Sequence, residues 1–201
     1  MNKGLLIVIS GASGTGKGTV CKKILEDLPS VAYSISATTR KPRDGEVDGR
    51  EYYFLSVDEF KRWIAEEKFL EFAEVHGNFY GTPLNKITER LNRGEDILLE
   101  IDVQGALNVK KKFPEGIYIF MLPPSLAELK RRIEGRGSET PETLARRMKN
   151  AAAEIQIGHE YDYAVVNDTV DAATEKIKAI LVAERCKVSR NAKIFELEGD
   201  F

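Results

Sequence analysis

A glycine-rich segment around one lysine carries the clearest chemical signal in the chain. It follows an apolar, strand-like run and precedes a helical pattern, with the spacing Gly-x4-Gly-Lys at its centre. Glycines let backbone N–H groups converge on an anion, the following helix adds its positive end, and Lys17 supplies a mobile cation. A glycine-rich turn without a ligand is the alternative, and the flanking strand and helix favour a cradle for the phosphates of a nucleoside triphosphate. The cradle residues are Gly11, Ala12, Ser13, Gly14, Thr15, Gly16, Lys17, Gly18 and Thr19.

Two groups of arginines lie outside this segment. Arg40 and Arg43 flank a proline, in a stretch that proline and glycine keep out of regular helix. Arg132 and Arg136 lie four positions apart on one face of a predicted helix, and Arg147 projects from the next helix. Solvent-exposed charge is the alternative interpretation, but guanidinium groups also neutralise the charge that moves during phosphoryl transfer. Two clusters on either side of one cradle predict two phosphorylated substrates. The candidate catalytic residues are Lys17, Arg43, Arg136 and Arg147.

Composition and charge limit the other classes of function. The 201 residues include 30 basic and 32 acidic ones, and the net charge of -2 argues against a general binder of nucleic acid or acidic membranes. Cys21 and Cys186 are far apart and lack metal-ligand spacing, which predicts a reduced, cytoplasmic location. With His76 and His159 as the two histidines, a zinc site or a Ser-His-Asp triad has little support. We expect no signal peptide and no membrane span, which would need about 20 apolar residues.

The elements that must position these residues alternate between strand and helix, which predicts a parallel sheet covered on both faces. Core strands are expected at residues 5–9, 31–35, 97–101, 117–121 and 164–166. Amphipathic helices are expected at about residues 17–28, 84–93, 103–112, 125–135 and 171–187. Thr140 before Pro141 adds an N-cap with proline at the first helical position, which starts a helix to about Ile157.

Residues 51–82 break this alternation and predict a small, partly antiparallel insert. A strand-like run over 51–54 is followed by a short helix and by a second apolar run over 69–75. Ser56 and Glu59 form a capping box at the start of that helix, because each can satisfy a backbone donor near the other.

The segment from Thr39 to Leu55 carries the most specific motif. Its Arg, Arg, Glu, Gly and Tyr, at their spacing, resemble the signature of the guanylate kinases, and in particular the bacterial type. Similar landmarks occur at residues 77–82, 101–105, 134–137 and 166–168, so the resemblance extends from residue 5 to about 185. It implies transfer of the γ-phosphoryl group of ATP to GMP, and to dGMP, which gives ADP and GDP.

The same resemblance implies an α/β fold. This is a P-loop three-layer sandwich with a parallel central sheet, a small mixed α/β insert that binds the nucleoside monophosphate, and a helical lid. A single domain is expected over residues 1–201. Its core would comprise 1–35, 84–125 and 158–201, its GMP-binding insert 36–83 and its lid 126–157. The oligomeric state is left undetermined.

The resemblance also assigns the acceptor site. Guanine presents two donors, N1–H and an amino group, and the ionised carboxylate of Glu71 would accept from both while repelling the N1 lone pair of adenine. Asp102 either orders Mg-bound water or assists with the guanine amino group. The implied GMP-binding residues are Ser36, Arg40, Arg43, Tyr52, Glu71, Tyr80, Thr82 and Asp102.

On the donor side, Asn167 and Asp168 match a loop near the adenine of ATP, although a plain turn fits them nearly as well. Arg132 and Arg136 complete the implied ATP site. Gly18 stands where many phosphate loops place a hydroxyl on the metal. We therefore expect Mg to be held mainly by phosphates and water, with no metal-ligating residue assigned.

Two other functions remain open at this point. One is a non-catalytic interaction domain of the same fold that grips phosphorylated peptide, which the intact phosphate loop argues against. The other is a kinase of the same fold with a different acceptor, such as another nucleotide or a sugar phosphate.

Overall fold

The computed structural model describes residues 3–75, 77–135 and 140–191. In chain order, its strands are β1 (Leu6–Gly11), β2 (Val31–Tyr33), β3 (Ala37–Thr38), β4 (Tyr53–Phe54), β5 (Phe69–Val75), β6 (Asn78–Pro83), β7 (Asp96–Glu100), β8 (Ile117–Leu122) and β9 (Tyr163–Val166). Its α-helices are α1 (Lys17–Asp27), α2 (Val57–Ala65), α3 (Leu84–Asn92), α4 (Val103–Lys112), α5 (Leu126–Glu134), α6 (Pro141–Ile157) and α7 (Val170–Arg185).

Five parallel strands form the central sheet in the order β2-β7-β1-β8-β9. Side chains alternate across β1: Ile7 and Ile9 pack toward α1 and α7, whereas Leu6 and Val8 pack toward α3 and α4. Burial on both faces explains why the inner strands β1, β7 and β8 are nearly continuous apolar runs. The expected three-layer α/β fold, with all five expected strands in one parallel sheet, is confirmed.

A second, smaller sheet has the order β4-β3-β6-β5. Its β3–β4 pair is parallel, and its β3–β6 and β5–β6 pairs are antiparallel, so the prediction of a partly antiparallel insert is confirmed. Helix α2 covers this sheet through Phe60, which stacks on Phe69 with ring centroids 4.3 Å apart. The predicted capping box is present, because Ser56 Oγ accepts from the Glu59 N–H and the Glu59 carboxylate accepts from the Ser56 N–H.

Helices α5 and α6 form a third packing unit against the segment after β1. Leu129 and Ile133 of α5 pack with Ala151 of α6 and with Ala12. Thr140 caps α6 and Pro141 occupies its first turn, as expected. Helix α5 ends at Glu134, slightly earlier than predicted, and Gly135 is its C-cap. Among the described helices, none combines the length and apolarity needed to span a bilayer.

Candidate active site

The glycine-rich segment lies at the carboxyl end of β1, the central strand of the sheet. Because β1 pairs with β7 on one side and β8 on the other, the loop after it opens at a topological switch point, where ligands bind in open α/β sheets. The loop leads directly into α1, whose N-cap is Gly16. Gly16 has φ of +88°, and a Cβ there would lie 2.6 Å from Asn167 Nδ2. Both the backbone conformation and the close approach require glycine.

Lys17, the first residue of α1, folds back over the loop. Its Nζ donates to the carbonyl of Gly11 at 2.6 Å and to that of Ala12 at 3.3 Å. Burial lowers the pKa of Lys17, and nearby carboxylates, led by Glu100, oppose that effect. The ammonium group is therefore held at the mouth of the loop, where an anionic phosphate would compensate its loss of water.

Two side chains from later segments of the chain support the loop. Asn167 is buried at the end of β9, and its Nδ2 donates to the Thr15 carbonyl at 2.8 Å. Arg132 donates to the Thr15 carbonyl at 3.3 Å and to the Asn167 carbonyl at 3.1 Å. Glu128 fixes Arg132 at 2.7 Å, and its hydrogen bonds from Arg131 and Arg132 lower the pKa of Glu128 to about 2.

The remaining donor-side residues are placed differently. Arg147 of α6 donates to Ser13 Oγ at 2.8 Å, so it reaches the loop. Asp168 is exposed, and its carboxylate lies 3.5 Å from Lys176 and accepts from the Thr169 N–H. Thr19 and Gly18 are exposed on the first turn of α1. Arg136, a predicted catalytic residue, lies outside the described residues.

A cavity of about 230 Å³ opens between the two sheets, on the same side as the phosphate loop. It brings together five of the sequence-predicted acceptor residues, which come from separate segments of the chain. These are Ser36, Tyr52, Glu71, Tyr80 and Asp102. Glu100 and Gly81 also line it.

Glu71 and Thr82 face each other across the β5–β6 pair. Thr82 Oγ1 donates to Glu71 Oε1 at 2.6 Å, and Glu71 is 8% exposed. Burial raises the pKa of Glu71, and this effect exceeds the lowering by the Thr82 hydrogen bond. Such a carboxylate keeps one well-placed partner and has unused acceptor capacity for donors that enter the cavity.

An irregularity in β5 directs Glu71 into that cavity. The strand register shifts between Phe69 and Glu71, so that two steps along β5 match one step along β6. In strict alternation Phe69 and Glu71 would share one face. The shift lets Phe69 pack on Phe60 and Leu70 pack in the main core, while the Glu71 carboxylate reaches Thr82.

Arg40 is held by a carboxylate and by aromatic rings at the outer end of the insert. Its Nη2 donates to Glu46 Oε1 at 2.9 Å, and Glu46 Oε2 accepts from the Arg43 N–H at 2.7 Å. The Arg40 guanidinium lies 5.4 Å from the Tyr52 ring centre, and Tyr52 meets Tyr80 edge-on with centroids 6.0 Å apart. The hydrogen bond from Arg40 lowers the pKa of Glu46. Arg43 itself is exposed.

Two acidic residues of this region were not selected from the sequence. Glu100 ends β7 beside Ile9 of β1, and its Oε1 lies 3.6 Å from where a Cβ of residue 18 would be. Burial raises the pKa of Glu100, and the positive charge of Lys17 partly opposes this effect. In the sequence, Glu100 stands out as an acidic residue at the end of an apolar strand, and this pattern could have identified it. Glu46 lies inside the arginine motif, three positions after the second arginine, and this position is the signal for its role.

A larger cavity, of about 670 Å³, lies at the opposite, amino end of the sheet. Its charged residues already have partners: Glu184 accepts from Arg190 at 3.0 Å, and Arg190 also donates to the carbonyl of Glu115 at 2.7 Å. Parallel sheets bind ligands at their carboxyl ends, so the smaller cavity is the stronger candidate.

Comparison with known proteins agrees with this assignment. The family model described as guanylate kinase matches residues 3–184. This chain belongs to the guanylate kinase family. The guanylate kinase of Clostridium acetobutylicum is 57% identical over 188 residues, which is 94% of this chain and 90% of that protein. The guanylate kinase of Caldanaerobacter subterraneus is 54% identical, over 96% of this chain and 94% of that protein.

A solved member of the guanylate kinase family has a similar structure. The crystal structure of guanylate kinase from Anaplasma phagocytophilum superimposes with a TM-score of 0.76 at 36% identity, over 94% of this chain and 90% of that chain. The predicted family and fold are therefore confirmed.

Proposed function

We propose that this protein transfers the γ-phosphoryl group of ATP to GMP, and to dGMP, and produces ADP and GDP or dGDP. The observation that carries the proposal is the buried Glu71 carboxylate, held by Thr82, in a cavity on the same side of the sheet as the phosphate loop. The family supports the same activity. The proposed partners are these small molecules. The cytoplasmic location and the absence of nucleic-acid partners stay predictions.

On the donor side, the loop residues 11–19 would surround the phosphates of ATP. Lys17 would exchange its two carbonyl partners for phosphate oxygens, which a flexible ammonium can do at little cost. Arg147 reaches the loop at Ser13 and would contact the phosphates from the α6 side. Arg132 and Asn167 would act by holding the Thr15 carbonyl and thereby the loop. Asp168 would lie on the adenine side.

On the acceptor side, Glu71 would accept hydrogen bonds from N1–H and the amino group of guanine. Ser36 and Thr82 would approach guanine from its O6 and N7 side, and Asp102, which lines the same cavity, would assist with the amino group. Arg40, Arg43, Tyr52 and Tyr80 would hold the GMP phosphate. That phosphate is already anionic, so no general base is required, and catalysis consists of alignment and charge neutralisation.

The residues present fit a magnesium ion bound mainly through phosphates and water. Within the described ranges, no group of three or more His, Cys, Asp or Glu side chains could hold a metal ion. Glu100 lies beside the first turn of α1 with Asp102 nearby, and their carboxylates would accept hydrogen bonds from water bound to the ion. When bound, the ion would neutralise charge on the β- and γ-phosphates.

We further propose three working parts in a single domain over residues 1–201: a core (1–35, 84–125 and 158–201), an insert (36–83) and a lid (126–157). Separate apolar clusters support this division, because Phe60 and Phe69 belong to one cluster and Leu129 and Ile133 to another. Closure of the lid would exclude water, which would otherwise accept the phosphoryl group.

Release of ADP, measured with GMP, dGMP, AMP and UMP as acceptors, tests the proposal. We expect turnover with GMP and dGMP at much lower acceptor concentrations than with AMP or UMP. Turnover without preference for guanine would favour a kinase with another acceptor. A complete lack of ADP release would favour a non-catalytic interaction domain.

A further inference from the structure

The first turn of α4 lies directly against the Glu71 carboxylate. Asp102 is the N-cap of this helix, and its Oδ1 accepts from the Gly105 N–H at 2.9 Å. A Cβ on Gly105 would lie 3.1 Å from Glu71 Oε2 and 3.5 Å from Glu71 Cδ. The same position is 3.6 Å from Ile101 Cδ1, an ordinary contact, so Glu71 is the neighbour that a side chain would displace.

Glu71 has little freedom to yield. Its other oxygen accepts from Thr82 Oγ1 at 2.6 Å, and the residue is 8% exposed. The carboxylate is therefore confined between β6 and α4, and the cavity is its open side. A methyl group on residue 105 would push the carboxylate away from α4 and toward the space that an incoming base needs.

The charge on Glu71 also depends on this contact. Burial and the negative charge of Asp102 both disfavour the ionised form and raise the pKa of Glu71. The amino-terminal end of a helix favours a nearby negative charge. Helix α4 begins at Val103, and the Glu71 carboxylate approaches it at Gly105, in its first turn. The electric field of this helix end therefore stabilises the ionised carboxylate and opposes the effects of burial and of Asp102.

Glycine is an unfavourable residue inside a helix, so its presence at position 105 needs another reason. We propose that Gly105 is a specificity-determining position for guanine: its lack of a side chain lets Glu71 lie against α4, in the position from which it recognises the base. The inference rests on the proposed GMP kinase activity. Gly105 touches no substrate itself and acts by positioning Glu71.

The test is Gly105→Ala, compared with Gln104→Ala on the exposed side of the same turn. We expect the KM for GMP to rise about tenfold in Gly105→Ala, the effect of weakening one hydrogen bond to a charged group. The KM for ATP should stay unchanged in both variants. The preference for GMP over IMP, which lacks the amino group, should fall only in Gly105→Ala. Alanine favours helix more than glycine does and so offsets part of the strain of the new contact, and any change in the melting temperature should be small.

A double-mutant cycle with Glu71→Gln separates a positioning role from a general packing role. If Gly105 acts through Glu71, Gly105→Ala should change the KM for GMP much less in the Glu71→Gln background. Equal effects in both backgrounds, or an unchanged KM for GMP in Gly105→Ala, would overturn the inference and leave the proposed function intact. Failure of the wild-type protein to phosphorylate GMP would overturn both.

Discussion

The phosphate loop and the acceptor cavity are built by different means. The loop follows β1, whose six residues are all buried, and it is held by backbone geometry and by hydrogen bonds to its carbonyls. The acceptor cavity lies between two sheets and depends on side-chain contacts: Thr82 holds Glu71 in its wall, and the Arg40–Glu46 pair lies against Tyr52, which also lines it. Substitutions on the donor side should therefore affect every substrate or the fold itself, whereas those on the acceptor side should affect the choice and affinity of the acceptor.

The largest expected effect is that of Lys17→Ala. Removing the cation that faces the transferring phosphates should lower kcat about 10³-fold with every acceptor, because the lost electrostatic stabilisation is on the donor side. Steady-state ADP release measures it. Lys22→Ala is the matched control, since the Lys22 side chain on the same helix is 80% exposed. A Lys17→Ala enzyme with wild-type kcat would remove this lysine from the mechanism.

Gly16→Ala tests whether packing fixes the loop. Alanine is strained at φ of +88°, and its Cβ would collide with the Asn167 side chain. We therefore expect the free energy of unfolding, measured with urea, to fall by about 3 kcal/mol. Gly45→Ala is the control: φ is +85°, but no atom lies within 4 Å of its Cβ position, so the loss should be about 1 kcal/mol. Equal losses would show that Asn167 does not constrain the loop.

Glu71→Gln should weaken specificity and strengthen the fold. Losing the acceptor for guanine should reduce the preference for GMP over AMP roughly tenfold to a hundredfold, measured as a ratio of kcat/KM values. Glu74→Gln on the exposed side of the same strand should leave this preference unchanged. Unchanged discrimination in Glu71→Gln would show that Glu71 does not recognise the base.

The pH dependence of that stabilisation has a definite sign. The folded-state pKa of Glu71 is raised, chiefly by burial and also by Asp102, with Thr82 and Lys112 acting in the opposite direction. The charged carboxylate therefore destabilises the fold at pH values above its raised pKa. Glu71→Gln should increase the free energy of unfolding at neutral pH, and the gain should vanish as the pH falls below the unfolded-state pKa. A gain that persists in acid would assign the effect to something other than this charge.

The smallest expected effect is that of Glu46→Gln. Loss of the ionic partner should free Arg40 to adopt other positions, so the KM for GMP should rise roughly fivefold with little change in the KM for ATP. Glu51→Gln, which removes the partner of Arg50 in the same loop, should leave both KM values unchanged. A rise in the KM for ATP as large as that for GMP would show that the Arg40–Glu46 pair does not act on the acceptor side alone.

Much of the fold was predictable because local signals agree with it. The apolar runs, the capping box at Ser56 and the Thr140–Pro141 start signal each predict an element that the structure contains. The site was less predictable, because Glu100 and Glu46 gain significance only from their neighbours. Glu100 lies beside α1 through the β1–β7 pairing, and Glu46 joins Arg40 to the Arg43 N–H.

The alternating α/β pattern, the phosphate loop and the residue types suited to two phosphorylated substrates can all be read from the amino-acid sequence. These features depend on the spacing of residues close together in the chain, which does not depend on long-range contacts. The resemblance assigned Glu71 to the guanine site, but the register shift in β5, which puts Glu71 and Phe69 on opposite faces, is visible only in the tertiary structure. Tertiary structure also decided that Gly105 lies against Glu71, since strand pairing and helix packing bring together residues that are remote in the chain.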